Sequence, residues 1–193
     1  MSVLIHFLKW RLGLAPPEVW TTPLERDCLV RHVKGRRRVA EIGVWHGGTA
    51  RSLRAAMDAE GVFFAIDPYE PGRLGVSFPR LVGVGELESV ANGRLVWVRE
   101  AGVAAASSAA IREAAPLDFV FVDAAQTYDT LRAQWEAWSP LIAPGGVIAL
   151  HDTRPMLNEP EQTSVRYARE VVARDSRFET IDGVDSLTVL RRR

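Results

Sequence analysis

Five short apolar runs set the terms for this chain: Val39 to Val44, Val62 to Ile66, Leu95 to Val98, Phe119 to Val122 and Val147 to Leu150. Each is rich in β-branched or aromatic residues, each is bounded by glycine, proline or charge, and segments of helical period separate them. Strands that alternate with helices close into a parallel sheet with right-handed crossovers, covered by helices on both faces. Near the end, Phe178 to Ile181 and Ser186 to Leu190 flank Asp182-Gly-Val-Asp185, a hairpin that adds one antiparallel strand. The expected class is α/β, a doubly wound sheet.

The intervening helices carry their own punctuation. Thr22-Pro-Leu-Glu25 offers a cap, a proline at the first helical position and a glutamate at the third, which predicts a helix from Pro23 to Val33. Gly47-Gly48-Thr49 leads into a second, with Leu53, Ala56 and Met57 on its apolar side. A small-residue helix is expected over 104–114. Leu131, Trp135, Trp138 and Ile142 recur at intervals of four, three and four, giving an amphipathic helix from Tyr128 to Ile142 that Pro144-Gly-Gly146 ends. A last helix spans Gln162 to Arg174. Between Pro71 and Gly93 the glycines and prolines predict an irregular excursion with a single helical turn, and the apolar stretch Leu74 to Val84 reads as a lid or an insertion.

With 193 residues, 47% of them apolar, the chain has the material for one core, and the division expected is an N-terminal segment, 1–17, followed by a domain, 18–193. The formal charge is zero, which supplies no bulk attraction to nucleic acid or anionic lipid. One cysteine, Cys28, sits on an apolar helix face and suits a reducing cytoplasm. The segment Val3 to Leu14 is apolar but holds Lys9 and Arg11, so it reads neither as a signal peptide nor as an integral membrane span. A short helix packed on the domain, or on a second copy in a homodimer, is the expectation, with an interfacial membrane anchor as the alternative.

In an open parallel sheet ligands collect beyond the carboxyl ends of the strands. Polar residues stand at those ends here: Glu41, Gly43, His46, Gly47 and Thr49 after the first strand, Asp67 after the second, Arg99 and Glu100 after the third, Asp123 after the fourth, His151 and Asp152 after the fifth. The glycines allow a tight turn and close approach of a ligand to the backbone. Asp67, at the end of the neighbouring strand, is placed to accept both hydroxyls of a ribose, so the pair specifies a nucleoside. The spacing Gly43-x-x-x-Gly47 departs from the dinucleotide fingerprint, and an ammonium group on the ligand would suit Glu41. A nucleotide-dependent oxidoreductase is the weaker alternative.

On these residues the chain resembles the class I S-adenosylmethionine-dependent methyltransferases, over roughly Arg38 to Arg191. More narrowly, Leu117 to Asp123, the helix with Trp135 and Trp138, and Pro144 to Thr153 look like the bacterial small-molecule O-methyltransferases whose fourth strand ends in Asp-Gly-Asp-His-Ser-Tyr and fifth in His-Asp. The resemblance implies a seven-stranded, mostly parallel sheet of order 3-2-1-4-5-7-6 with strand seven antiparallel. It implies S-adenosylmethionine as cofactor, bound by Glu41, Gly43, Gly47, Asp67, Glu100 and Asp123, with Glu100 near the adenine. It also implies a divalent metal, Mg or Mn, at Asp123, His151 and Asp152. The acceptor would be a small molecule methylated on a hydroxyl.

Where the related family reads Asp-Gly-Asp-His, this chain reads Asp123-Ala124-Ala125-Gln126, so an acid and a histidine are replaced. Gln126 cannot take a proton at neutral pH. A general base contributes about 10²–10⁴ in rate, whereas alignment of reactants can contribute about 7–11 kcal/mol, so the loss slows transfer without abolishing it. His151, Tyr128, whose hydroxyl would lie near the acceptor, and Gln126 are the candidate catalytic positions. A cofactor-binding module with weak or lost catalysis is the alternative of another class.

Overall fold

A computed structural model describes residues 3–72, 75–156 and 162–193. Its centre is a sheet of seven strands: β1 (Arg38–Ile42), β2 (Val62–Ile66), β3 (Arg94–Val98), β4 (Leu117–Val122), β5 (Ile142–Leu150), β6 (Phe178–Val184) and β7 (Leu187–Arg192). The order is β3-β2-β1-β4-β5-β7-β6, with β7 antiparallel to both of its neighbours, as the resemblance implied. The order reverses between β1 and β4, and a crevice opens there beyond the strand ends.

Side chains alternate between the two faces. Val120 and Val122 of β4 join Trp135, Trp138 and Tyr167 in one core, while Phe119 and Phe121 join Leu29, Leu53 and Leu87 in the other. The helices that supply them are α1 (Val3–Arg11), α2 (Pro23–Val33), α3 (Gly48–Ala56), α4 (Phe78–Glu88), α5 (Gly102–Ala105), α6 (Ala109–Ala114), α7 (Tyr128–Trp138) and α8 (Thr163–Glu170). Helix α2 has the bounds expected from its capping box: the Thr22 hydroxyl accepts from Glu25 N and Glu25 Oε2 accepts from Thr22 N.

Several expectations about element lengths change. The excursion after Pro71 holds the eleven-residue helix α4. Its glycines serve packing: a Cβ at Gly85 would lie 2.5 Å from the Trp10 ring, and one at Gly83 would strike the Tyr69 hydroxyl and Trp45 O. The expected lid begins at Leu74, which lies outside the described residues, and its remainder largely belongs to α4. Pro140 ends α7 early, after which three residues of 3₁₀ helix lead into β5. That strand starts at Ile142 because Pro144-Gly-Gly146 is accommodated as a bulge, the register jumping from Leu117 opposite Ile142 to Phe119 opposite Val147. The helix expected over 104–114 breaks at Ser107 and Ser108 into α5 and α6, and the last one continues past α8 as 3₁₀ helix, Val172–Arg174.

Helix α1 docks on α4. Phe7 meets Phe78 with ring centroids 5.3 Å apart, and Trp10 Nε1 donates to Glu86 Oε1 at 2.6 Å. Val3, Leu4, Ile5 and Leu8 remain exposed. No described helix is long and apolar enough to cross a membrane.

Candidate active site

The backbone ladder carries one step past the strand ends and aligns the polar residues along a single edge. Asp67 N donates to Val98 O, Gly43 N to Ile66 O, Asp123 N to Ile42 O and His151 N to Val122 O. Beyond this edge lies a cavity of about 620 Å³. Gly43, Asp67, Asp123, Gln126, His151 and Asp152 all line it.

On the β1 side the chain turns at Gly43 (φ 91°), where a Cβ would come within 2.6 Å of Asp123 O, so only glycine lets β1 and β4 approach this closely. Gly47 (φ 74°) caps α3 without a side-chain hydrogen bond, leaving the helix start free of side-chain caps. Asp67 accepts from Trp45 N at 3.0 Å and Tyr69 N at 2.8 Å, one bond to each oxygen, and so holds the glycine loop against β2. Tyr69 donates its hydroxyl to Trp45 O at 2.9 Å.

Glu41 lies buried in β1, and its Oε2 has no hydrogen-bond partner. Burial, reinforced by the charges of Asp123 and Asp67, raises its carboxyl well above the usual range, which keeps it neutral in the free protein. An unpartnered buried carboxyl beside a glycine loop fits a cationic amino group. His46 is also buried, stacked between His6 and Trp45 at 4.8 Å from each, with Nδ1 accepting from Glu18 N at 3.2 Å. Burial lowers it to about 4, so it stands neutral as a packing residue.

The other side of the cavity is built around His151. Its Nδ1 is 2.7 Å from Asp123 Oδ1 and its Nε2 is 3.2 Å from Glu25 Oε2. Burial disfavours the charged ring, but hydrogen bonds to Asp123 and Glu25 outweigh that and raise it to about 10. Glu25 is fully buried, yet the His151, Thr22 and Ser186 hydrogen bonds overcome its desolvation and lower it to about 2. Burial leaves Asp123 raised even with His151 bonded to it. The proton between Asp123 and His151 is therefore held tightly. Asp152, in the left-handed region at φ 54°, brings Oδ2 to 3.6 Å from His151 Nδ1.

Glu41 and Gly47 adjoin the loop but do not line the cavity, and the remaining candidates sit elsewhere. Tyr128 packs edge-on against Tyr167 at 5.0 Å, with the Arg166 guanidinium 5.5 Å from its ring centroid, and is absent from the cavity's lining. Glu100 is exposed after β3 and also absent from it. Ala125, where the related family has its second acid, is packed in the core. Among the described residues, Asp123, His151 and Asp152 do not bring one ligand atom each within 4.8 Å of one another, whereas Cys28, His32 and Asp182 do. With both nitrogens of His151 engaged by carboxylates, the cavity does not fit a metal ion as it stands.

Sequence reasoning missed Glu25, Ser186, Trp20 and Trp45, which all line the cavity. Glu25 reads in the sequence as a capping glutamate and nothing more. Trp20 and Ser186 come from a linker and a hairpin turn whose approach to the strand ends only the fold reveals.

Comparison with known proteins agrees with this geometry. No curated protein sequence matches the chain. Among solved structures, the cofactor-bound Rv0187 from MTB superimposes with a TM-score of 0.71 at 20% identity, covering 99% of this chain and 89% of that one. The O-methyltransferase TomG of Streptomyces achromogenes, involved in tomaymycin synthesis and solved with S-adenosylmethionine, gives 0.65 at 21% identity over 100% and 90%. The Bacillus cereus O-methyltransferase in complex with S-adenosylhomocysteine gives 0.63 at 19% over 100% and 91%. Residues 40–153 match a family described as a methyltransferase domain, and that span holds every strand end from Glu41 to Asp152 just described. By that match, on a class I S-adenosylmethionine-dependent methyltransferase fold, the chain belongs to the methyltransferase-domain family.

Proposed function

We propose that this protein transfers the methyl group of S-adenosylmethionine to a hydroxyl oxygen of a small molecule. The observation that carries the reading is the Asp123–His151 pair, 2.7 Å apart, facing the same cavity as Gly43 and Asp67. The bound sulfonium cofactor supplies an electrophilic methyl group, and every other role falls to the chain. Glu41 meets the cofactor's ammonium and Asp67 its ribose diol, while Gly43 and Gly47, both at positive φ, shape the loop between them. Asp123 and His151 face the acceptor. His151 already carries its proton, so the hydroxyl's proton passes to the Asp123 carboxylate, made more basic by burial, while the imidazolium keeps that carboxylate oriented. Positioning supplies most of the acceleration.

Metal assistance by Mg or Mn at Asp123, His151 and Asp152 requires His151 to release Asp123. Chelator-treated protein is expected to keep its full activity; activity that vanishes and returns with Mg or Mn restores the metal reading. The formal charge of zero favours a small acceptor over nucleic acid, and the single cysteine suits a reducing cytoplasm. The exposed Leu4, Ile5 and Leu8 of α1 leave a face on which a second copy can pack.

The replaced acid and histidine, Ala125 and Gln126, favour the second reading, a binding module with weak catalysis. Methyl transfer to a panel of phenols and sugars, compared with Asp123→Asn, separates the two. Calorimetry with S-adenosylmethionine and NAD tests the cofactor; binding of NAD alone would overturn both readings.

A further inference from the structure

We propose that Glu25 is a positioning residue of the transfer site, holding the His151 ring against Asp123; this rests on the methyl-transfer reading of the cavity. Helix α2 lies outside the matched span 40–153, so the site draws on a part of the chain that the family pattern does not include. A glutamate that only caps a helix needs one bond, to the backbone N–H of the capping residue, and can remain in water. Glu25 is fully buried and accepts four: from Thr22 N at 2.8 Å, Ser186 N at 2.9 Å, Ser186 Oγ at 2.7 Å and His151 Nε2 at 3.2 Å. Only the first belongs to the cap. The others tie α2 to the β6–β7 turn and to the ring at the end of β5.

Gripped through Nε2 by Glu25 and through Nδ1 by Asp123, the ring cannot flip or swing, and Phe121 meets it edge-on at 6.2 Å. Glutamine at position 25 breaks this arrangement in either orientation. Its NH₂ must face Thr22 N and His151 Nε2, or else the Ser186 backbone N–H, and all of these are donors. In the first orientation the ring loses its anchor outright; in the second it keeps only a neutral amide oxygen in place of the carboxylate while the Ser186 turn is released, so in both the hold on the Nδ1–Asp123 alignment is weakened.

The test compares Glu25→Gln with Leu29→Val, which loosens the same helix in the core without touching His151. At fixed pH, proton NMR of ¹⁵N-histidine-labelled wild-type protein should show slowly exchanging ring N–H resonances from His151, retained in Leu29→Val and lost in Glu25→Gln. With whichever acceptor the wild type methylates, Glu25→Gln should lower kcat on the order of tenfold to a hundredfold with the cofactor KM unchanged, as expected for a misplaced group. Leu29→Val should lower only the melting temperature. Unchanged His151 resonances in Glu25→Gln, an equal kcat loss in both variants, or absence of protected His151 resonances in the wild type would each overturn the proposal. The last measurement stands if Glu25→Gln does not fold. If the wild type methylates nothing, the methyl-transfer reading fails while the NMR comparison still decides the role of Glu25.

Discussion

Changing Glu41 to Gln should separate what this residue does for the cofactor from what it does for the fold. In the free protein its carboxyl is neutral, fully buried and unpartnered at Oε2, so an isosteric neutral amide should leave thermal stability close to that of the wild type. Cofactor binding should respond differently. A hydrogen bond to a charged group is worth about 1.5–3 kcal/mol, so loss of the carboxylate facing the ammonium should weaken binding by about tenfold to a hundredfold. The ammonium also favours the ionised carboxylate, so binding must displace the proton that free Glu41 keeps. Affinity should therefore rise with pH up to the raised pKa of free Glu41 and level off above it, with proton release visible in calorimetry as a heat that depends on the buffer's own ionisation. Glu41→Gln should abolish both the release and the slope. A wild-type affinity independent of pH, or a variant that binds as tightly, would refute the assignment.

Asp67→Ala should weaken S-adenosylmethionine binding by about tenfold to a hundredfold by titration, through loss of a charged acceptor; because Asp67 also holds Trp45 N and Tyr69 N, the unliganded protein should melt earlier as well. Trp10→Ala should empty the contact against Gly85 and remove the bond to Glu86, lowering the melting temperature by a few degrees, about what 1–2 kcal/mol produces in a chain of this size; an unchanged melting curve would make α1 a loose tail. His46, lowered from 6.5 to about 4 by burial, stabilises the fold fully above pH 6.5 and loses that contribution as pH falls through about 4, a loss of roughly 3 kcal/mol. Denaturant titrations should show this acid loss in the wild type and a smaller one in His46→Gln; equal losses would rule His46 out as the source.

The sheet was legible because buried parallel strands are continuous apolar runs, and Phe119 to Val122 or Val62 to Ile66 have few other readings. Helix α2 was equally legible, since Thr22, Pro23 and Glu25 write its start locally. Helix α4 was hidden by Gly83 and Gly85, which in isolation disfavour a helix but here receive Tyr69, Trp45 and Trp10 at distances no side chain would permit. Asp123, His151, Asp152 and Asp67 could be placed from strand ends alone, because the ladder fixes where a strand's last residue goes. Tyr128 could not: one helical turn decides whether its ring faces a cavity or Tyr167, and no periodicity resolves that. Glu25 is harder still, since its partners His151 and Ser186 lie 126 and 161 residues away along the chain.

The antiparallel placement of β7 bears on how this sequence can be cut and recombined. Ile148, Ala149 and Leu150 of β5 pair with Leu190, Val189 and Thr188, so residues far beyond the family span seal one flank of its last strand. A fragment ending at Thr153 would present that flank as a bare row of backbone donors and acceptors lined with aliphatic side chains, a template for joining other chains edge to edge. The span that suffices to recognise the family thus leaves one flank of its sheet open, and residues 40–153 have the hairpin as a molecular hem.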